Sequence, residues 1–147
     1  MYTHLLVPTD GSKLSDRAIA QAIALAKMMK ATITFLHATP EYPTPIYAEG
    51  VGASPKFRKQ YADQARTEAK KVLDRAAAKA ANANVASNST HAVTSTPWRA
   101  ILDAAKKSKC DAIVMASHGR RGLSALLLGS ETTKVLTHGK LPVLVMR

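Results

Sequence analysis

Residues 111–136 read DAIVMASHGRRGLSALLLGSETTKVL, and this stretch decides the fold. It opens with the five apolar residues 112–116, a run typical of a strand buried on both faces of a parallel sheet. A polar turn at 117–122 follows, with two glycines and two arginines. A helical pattern then begins at Gly129 and Ser130, with Ser130 the predicted N-cap. Because a helix start presents unpaired amides and a positive dipole end, the stretch predicts a site for a phosphorylated ligand.

Neither of the two common phosphate-binding fingerprints occurs in the chain. The pattern G-x-x-x-x-G-K-[ST] is absent, and Gly11 is the only glycine in the turn that follows the first predicted strand, so G-x-G-x-x-G fails as well. No histidine pair at i, i+4 suggests zinc, and His118 has no nucleophile and acid arranged around it in the sequence. We therefore predict no catalytic residue, no metal held by protein side chains, and a different kind of phosphate site.

Length and composition narrow the class of protein. The 147 residues predict one domain, 1–147, able to bury a single core. A formal charge of +11 favours anionic partners, but aromatic residues make up only 5% of the chain, so no specific nucleic acid partner is expected. A strand pattern begins at His4, and no apolar run has the length of a membrane span, so we expect a soluble, cytoplasmic protein with no membrane partner. The lone Cys110 is predicted to be structural.

Strand and helix patterns alternate along the chain. Strands are predicted at 4–9, 31–37, 85–96 (a short edge strand), 112–116 and 141–146, with helices between them, the last ending at Gly139 as its C′ residue. This order predicts an α/β fold: a single-domain, doubly wound, five-stranded parallel sheet with helices on both faces. The segment 38–54 carries three prolines and two glycines and is predicted to be a surface loop and a candidate lid. Leu123 to Leu128 is predicted to be a packed turn.

The glycine spacing of the opening stretch resembles that of the universal stress protein family, in its UspA-like, ATP-binding branch. The family pattern is G-2x-G-9x-G-[ST], and this chain has Ala116 in place of the first glycine, then Gly119, nine residues, and Gly129-Ser130. The resemblance covers the whole chain, including LLVPTDGS at 5–12 and LPVLV at 141–145. It implies a nucleotide-binding regulatory or stress-response protein with strand order 3-2-1-4-5.

In a sheet of that order, ligands bind outside the carboxyl ends of the first and fourth strands, where the order reverses. These ends are Thr9-Asp10 and residues 117–119. The resemblance implies that ATP binds there, with magnesium or manganese bound through its phosphates. The predicted nucleotide-binding residues are Pro8, Thr9, Asp10, Ala38, Met115, Ala116, Ser117, His118, Gly119, Arg120, Gly122, Gly129, Ser130, Glu131 and Thr132.

Some of these residues have a structural alternative. Asp10 is expected to contact the adenine amino group, a ribose hydroxyl or a metal, or else to cap the first helix. Ala38 would offer backbone groups to the adenine edge, and Met115 either lines the adenine pocket or belongs to the core. Arg120 is expected at the phosphates, whereas Arg121 is as well explained by exposure to solvent. His37 is predicted to be a hydrogen-bonded structural histidine.

Three functions remain open at this point. The first is the nucleotide-binding regulatory protein; the second is a dimeric interaction protein of the same fold with an empty pocket, which Ala116 keeps open; the third is a slow ATPase or phosphotransferase.

The predicted order also places strand 141–146 at an edge of the sheet. Because an apolar edge invites pairing, a homodimer through this strand is expected, and Leu144→Pro is expected to remove one donor of the intermolecular ladder.

Overall fold

A computed structural model describes residues 1–43, 54–119 and 128–147. Strands and helices alternate in these ranges as β1 (His4–Pro8), α1 (Lys13–Met29), β2 (Thr32–Thr39), α2 (Pro55–Asn82), β3 (Ser87–Val93), α3 (Pro97–Lys107), β4 (Ala112–Ala116), α4 (Ser130–His138) and β5 (Val143–Met146). Most of the predicted loop 38–54 lies outside the described residues. So do Arg120, Arg121, Gly122 and all of the predicted turn 123–128 except Leu128.

The five strands form one parallel sheet in the order β3-β2-β1-β4-β5, which confirms the predicted fold class. β1 and β4 lie inside the sheet because they are its continuous apolar runs, and all five residues of β4 are buried. The polar β3 and the short β5 form the two edges, as predicted. Within the described ranges, no helix is both long enough and apolar enough to cross a bilayer.

Each face of the sheet carries a separate core, since successive strand residues point to opposite faces. One core packs against α1 and α2, and it contains Leu5, Val7, Ile19, Ile23, Ile33, Phe35, Leu73 and Val114. The other packs against α3 and α4, and it contains Leu6, Leu36, Ile101, Ala105, Cys110, Ile113, Met115 and Val135. Burial raises the pKa of the Cys110 thiol to about 11, with a smaller contribution from Asp111, so the thiol is a structural group as predicted.

Three helices end without glycine at a residue in the left-handed conformation. These residues are Lys30, Asn84 and Lys109, with φ of 56°, 57° and 53°. In each case the amide of the following residue bonds to a carbonyl five positions back, as Cys110 does to Ala105 at 2.8 Å. Glycine is the usual sequence signal for this ending, so these three helix ends carry no such signal.

Gly139 ends α4 for a different reason from the one predicted. It is the C-cap with φ of −76°, which any residue can adopt, and its amide donates to Val135 O at 2.8 Å. A Cβ at this position would lie 2.6 Å from Val135 O and 3.1 Å from a methyl of Leu102. Glycine is therefore required here by close packing and not by a positive φ.

The amino ends of β1 and β4 are tied together by the Asp111 carboxylate. It accepts from the Thr3 amide at 2.7 Å, the Thr3 hydroxyl at 2.8 Å and the His4 amide at 3.1 Å. Partial burial acts to raise the pKa of Asp111, but the hydrogen bonds outweigh it and hold the pKa below its usual range. This end of the sheet is therefore closed by protein groups.

Candidate functional site

The two central strands part at the carboxyl end of the sheet. β1 and β4 are paired only through Leu5 with Ala112 and Leu6 with Ile113. β1 stays paired with β2 as far as Pro8, and β4 stays paired with β5 as far as Ala116. A crevice therefore opens between β1 and β4, where the strand order reverses and where ligands of doubly wound sheets bind.

One side of the crevice, which we call the β1 wall, is formed by Thr9, Asp10, Ser15 and His37. Thr9 is buried, its amide donates to Leu36 O at 2.8 Å, and its hydroxyl lies 3.0 Å from the Ser15 hydroxyl. Asp10 Oδ1 accepts from the Ser12 amide at 2.9 Å, so the carboxylate organises the turn into α1. The structural role predicted for it, the cap of the first helix, belongs instead to Ser12, and Asp10 stands at the mouth of the crevice.

His37 fastens the β1 wall from the neighbouring strand. Its Nδ1 donates to Thr9 O at 2.7 Å, and the ring is 6% exposed. The ring stacks on His91 of β3 with 6.4 Å between centroids, and His91 Nε2 lies 2.8 Å from the Thr39 hydroxyl. Burial, the His37 ring and Arg66 of α2 all lower the pKa of His91. His37 is thus the hydrogen-bonded structural histidine that was predicted.

Ala38 presents its backbone to the crevice. In parallel strands, successive residues bond alternately to the two neighbouring strands. Leu36 O accepts from Thr9 of the β1 side, whereas Thr39 O accepts from Thr94 on the β3 side. Ala38 therefore directs its amide and carbonyl toward the β1 side, beyond the last paired residue of β1. This gives one donor and one acceptor at the edge of the crevice.

The opposite side, the β4 wall, is formed by Ser117, His118, Gly119 and Gly129. The Gly129 amide donates to Ser117 O at 2.7 Å, which folds the chain back against the end of β4. A Cβ on Gly129 would lie 3.0 Å from His118 Cα and 3.3 Å from Ser117 O. Since both of these are backbone atoms, only glycine fits at 129 without a shift of the main chain.

The two walls touch at Gly119. A Cβ on this residue would lie 2.7 Å from Asp10 Oδ2, so Asp10 packs against the bare Cα. Gly119 is exposed, and the atom it meets is the end of a side chain that can rotate. The absence of a side chain at 119 therefore leaves room for Asp10, and it also leaves room for a ligand.

The start of α4 forms the floor beside the β4 wall. Ser130 was predicted to be the N-cap, but the N-cap is Gly129 and Ser130 is the first helical residue, because the Gly129 carbonyl accepts the first helical bond from Thr133 at 2.9 Å. Among the residues that the structure describes, no side chain caps this helix, whereas Ser12 Oγ caps α1 by accepting from the Ser15 amide at 3.1 Å. The opening amides of α4 therefore have no side-chain cap within the described ranges, and a helix start of this kind suits an anion.

Three of the predicted ligand residues direct their side chains to protein groups. The Thr132 hydroxyl donates to Ala116 O at 3.0 Å and is buried. Glu131 accepts from the Trp98 amide at 2.8 Å and pairs with Lys134 at 3.1 Å. Met115 is 5% exposed within the core under α3 and α4, which is the packing role considered for it. The side chains of Glu131 and Thr132 are thus engaged elsewhere, and these residues contribute only their backbone to the first turn of α4. Pro8 is the last residue of β1 that pairs with β2.

Sequence reasoning missed Ser15 and Trp98 as supports of the crevice. Ser15 carried a weak signal, since it stands three residues after the helix cap Ser12. Trp98 carried none, because its partner Glu131 is far away in the sequence. Arg120 and Gly122, predicted at the phosphates, lie outside the described residues, and among the residues described no cluster of three His, Cys, Asp or Glu could hold a metal ion.

Comparison with known proteins agrees with this geometry. The model of the universal stress protein family matches residues 1–147. Universal stress protein YxiE of Bacillus subtilis is 33% identical over the full length of both chains. The solved structure of protein MJ0577 of Methanocaldococcus jannaschii superposes with a TM-score of 0.84 at 25% identity, over 99% of this chain and 96% of that one. A solved universal stress protein in complex with cAMP superposes with a TM-score of 0.68 at 25% identity, over 99% and 97% of the two chains.

Proposed function

The chain belongs to the universal stress protein family, and on this premise we propose that it is a cytoplasmic regulatory protein that binds an adenine nucleotide, with ATP as the expected ligand. The observation that carries the proposal is the contact of Gly119 with Asp10 across the crevice, beside the uncapped start of α4. The related protein in complex with cAMP supports an adenine nucleotide as the class of ligand.

The residues around the crevice fit the three parts of such a ligand. The backbone donor and acceptor of Ala38 match the edge of adenine, and the Asp10 carboxylate is suited to accept from a ribose hydroxyl or the adenine amino group. The amides of Ser130 to Thr132 are suited to phosphate oxygens. We propose that Arg120 and Gly122 complete the phosphate site and that magnesium or manganese would be bound through the phosphates.

The proposed role is regulatory and not catalytic. The described part of the crevice contains one carboxylate, that of Asp10, and it is engaged with the turn into α1. We therefore propose that occupancy by the nucleotide changes what partners recognise. An interaction protein of the same fold with an empty crevice is the alternative that the following experiment separates.

Calorimetric titration of the wild-type protein and of Gly119→Val with ATP and Mg²⁺ tests the proposal. Branched carbons at 119 would displace Asp10 and fill the crevice, so we expect binding by the wild type and none by a folded Gly119→Val. Gly119→Ala is the matched control for size. The double variant Asp10→Ala with Gly119→Ala shows whether the contact with Asp10 is the cause of any loss of affinity. Unchanged affinity in Gly119→Val contradicts the site, and a wild-type protein that binds no adenine nucleotide contradicts the function.

We also propose a homodimer through β5. Leu144 on this apolar edge strand is 45% exposed. Pro142 O accepts from Ile113 of β4, and Met146 O accepts from Ser117, which follows β4, so by alternation Leu144 also faces β4. Val143 and Val145 therefore direct their backbone groups away from β4, and the expected effect of Leu144→Pro is wrong: it would break a bond to β4 within one chain.

The variant that tests the dimer is Val145→Pro, which removes a donor that faces outward. We expect a dimer for the wild type and a shift toward monomer for Val145→Pro, measured by light scattering at micromolar concentration. Leu144→Pro serves as the contrast, because it should lower stability before it changes assembly. A monomeric wild-type protein would overturn the interface.

A further inference from the structure

The first turn of α3 is capped by a side chain of another helix. Pro97 has no amide hydrogen, and the side chain of the N-cap Thr96 makes no capping hydrogen bond because it lies against Thr94 at 3.3 Å. The Trp98 amide instead donates to Glu131 Oε2 at 2.8 Å. A carboxylate at the positive end of α3 is a favourable arrangement, and it ties this helix to the second residue of α4.

The same residue of α3 also holds the other end of α4. The Trp98 ring stacks on His138, with 4.7 Å between centroids and 28° between planes, and the Arg99 guanidinium lies 5.0 Å from the centre of the Trp98 ring. His138 is the last residue of the nine-residue α4. Trp98 thus contacts α4 at both ends, through its amide at the start and through its ring at the finish.

These contacts decide how the start of α4 faces the crevice. Amides recognise an anion only when they point at it, so the orientation of α4 determines the quality of the proposed phosphate site. A carboxylate beside that site would repel phosphate if it turned toward it. Glu131 is held away, because Oε2 is taken by Trp98 and Oε1 by Lys134 at 3.1 Å.

We infer that Glu131 is a positioning residue for the phosphate end of the site, acting through Trp98 and not through contact with the ligand. This inference rests on the proposed nucleotide function. It assigns to Glu131 a role opposite to direct binding: the side chain turns to α3, and its removal would release the first turn of α4. The carboxylate is needed as an acceptor for an amide, so an uncharged acceptor of the same length should replace it.

Titrating Glu131→Ala and Glu131→Gln with ATP, AMP and adenosine tests this role. We expect Glu131→Ala to weaken ATP and AMP about tenfold, the equivalent of one hydrogen bond, and to leave adenosine unchanged. Glu131→Gln should bind all three like the wild type, because its amide oxygen still accepts from Trp98. Lys134→Ala is the matched control: it removes the other partner of Glu131 without touching Trp98, and wild-type affinity is expected.

Hydrogen exchange of the Trp98 amide gives a readout without nucleotide. Protection should fall in Glu131→Ala and return in Glu131→Gln. Unchanged protection or unchanged affinity for ATP in Glu131→Ala would overturn the positioning role while the proposed function stands. Equal losses for adenosine and ATP would show a general loss of structure and would also overturn it. A wild-type protein that binds none of the three ligands would overturn both proposals.

Discussion

The two walls of the crevice are built in different ways. The β1 wall is held by polar side chains that bond to one another and to the backbone: Thr9 to Ser15, and His37 to Thr9 O. The β4 wall depends on close packing at two glycines that have no side chains. Gly119 lets the Asp10 carboxylate come into contact, and Gly129 lets the main chain of Ser117 and His118 come into contact. The first wall is therefore sensitive to the loss of a hydrogen bond, and the second to the addition of bulk.

This difference has a functional meaning. A wall of satisfied hydrogen bonds is organised before a ligand arrives, whereas the amides at the start of α4, which no described side chain caps, would gain a partner from the proposed ligand. The rigid wall is suited to the base and the ribose, and the open one to phosphate. Substitutions in the β1 wall should therefore lower stability more than affinity, and substitutions in the β4 wall should lower affinity more than stability.

The largest effect is expected from Gly129→Val, which adds bulk to the β4 wall. The new Cβ would lie 3.0 Å from His118 Cα and 3.3 Å from Ser117 O, so the main chain beside it would have to shift. We expect no detectable nucleotide binding by calorimetry and a loss of about 1–3 kcal/mol in urea unfolding. Gly119→Ala, whose Cβ meets only the rotatable Asp10 carboxylate, should lose much less stability. Retained affinity in Gly129→Val would show that the two walls do not differ as described.

Removing a hydroxyl from the β1 wall should mainly cost stability. Thr9→Val keeps the shape but takes a partner from the Ser15 hydroxyl and from the Gly11 amide at 3.2 Å, a loss of about 1–2 kcal/mol in urea unfolding. Affinity for nucleotide should fall less than in Gly129→Val. Asp111→Ala, at the closed amino end of the sheet, is the control: it should destabilise the fold without changing affinity. Equal losses of affinity in Thr9→Val and Asp111→Ala would contradict a specific role for Thr9 in the β1 wall.

His91 of β3, whose ring stacks on His37 of the β1 wall, makes the stability depend on pH. Because burial, His37 and Arg66 lower the pKa of His91, the unfolded chain takes up a proton there more readily than the folded one. The contribution of His91 is thus fully present above the ordinary histidine pKa of about 6.5 and is lost as pH falls below it. In His91→Gln the free energy of unfolding should fall less steeply between neutral and mildly acidic pH. The same slope in both proteins would refute the effect.

The smallest effect lies outside both walls. Lys109 ends α3 with φ of 53°, so Lys109→Gly should gain about 0.5–1 kcal/mol by relieving the left-handed conformation. Lys106→Gly, inside the same helix, should instead lose about 1 kcal/mol. Neither should change nucleotide affinity, which separates stability from binding. A stabilised Lys109→Gly with altered affinity would show that the helix end communicates with the crevice.

Much of the fold was predictable because its signals are local. The apolar run of β4 predicted a strand buried on both faces, and the polar stretch before Pro97 predicted an edge strand. The position of the crevice followed from the order of elements together with the family resemblance. Helix ends were predicted less well: Ser130 begins its helix where an N-cap was expected, and Lys30, Asn84 and Lys109 take a conformation that glycine usually signals.

The sequence by itself determined which elements form, that β4 is buried on both faces, and that glycines stand at 119 and 129 beside a helix start. Only the tertiary structure decided which side chains face the crevice. Glu131 turns to Trp98, Met115 enters the core, and Asp10 reaches Gly119. The physical reason is range: backbone preferences and periodicity act over one or two turns of chain, whereas a hydrogen-bond partner is chosen by how distant elements pack.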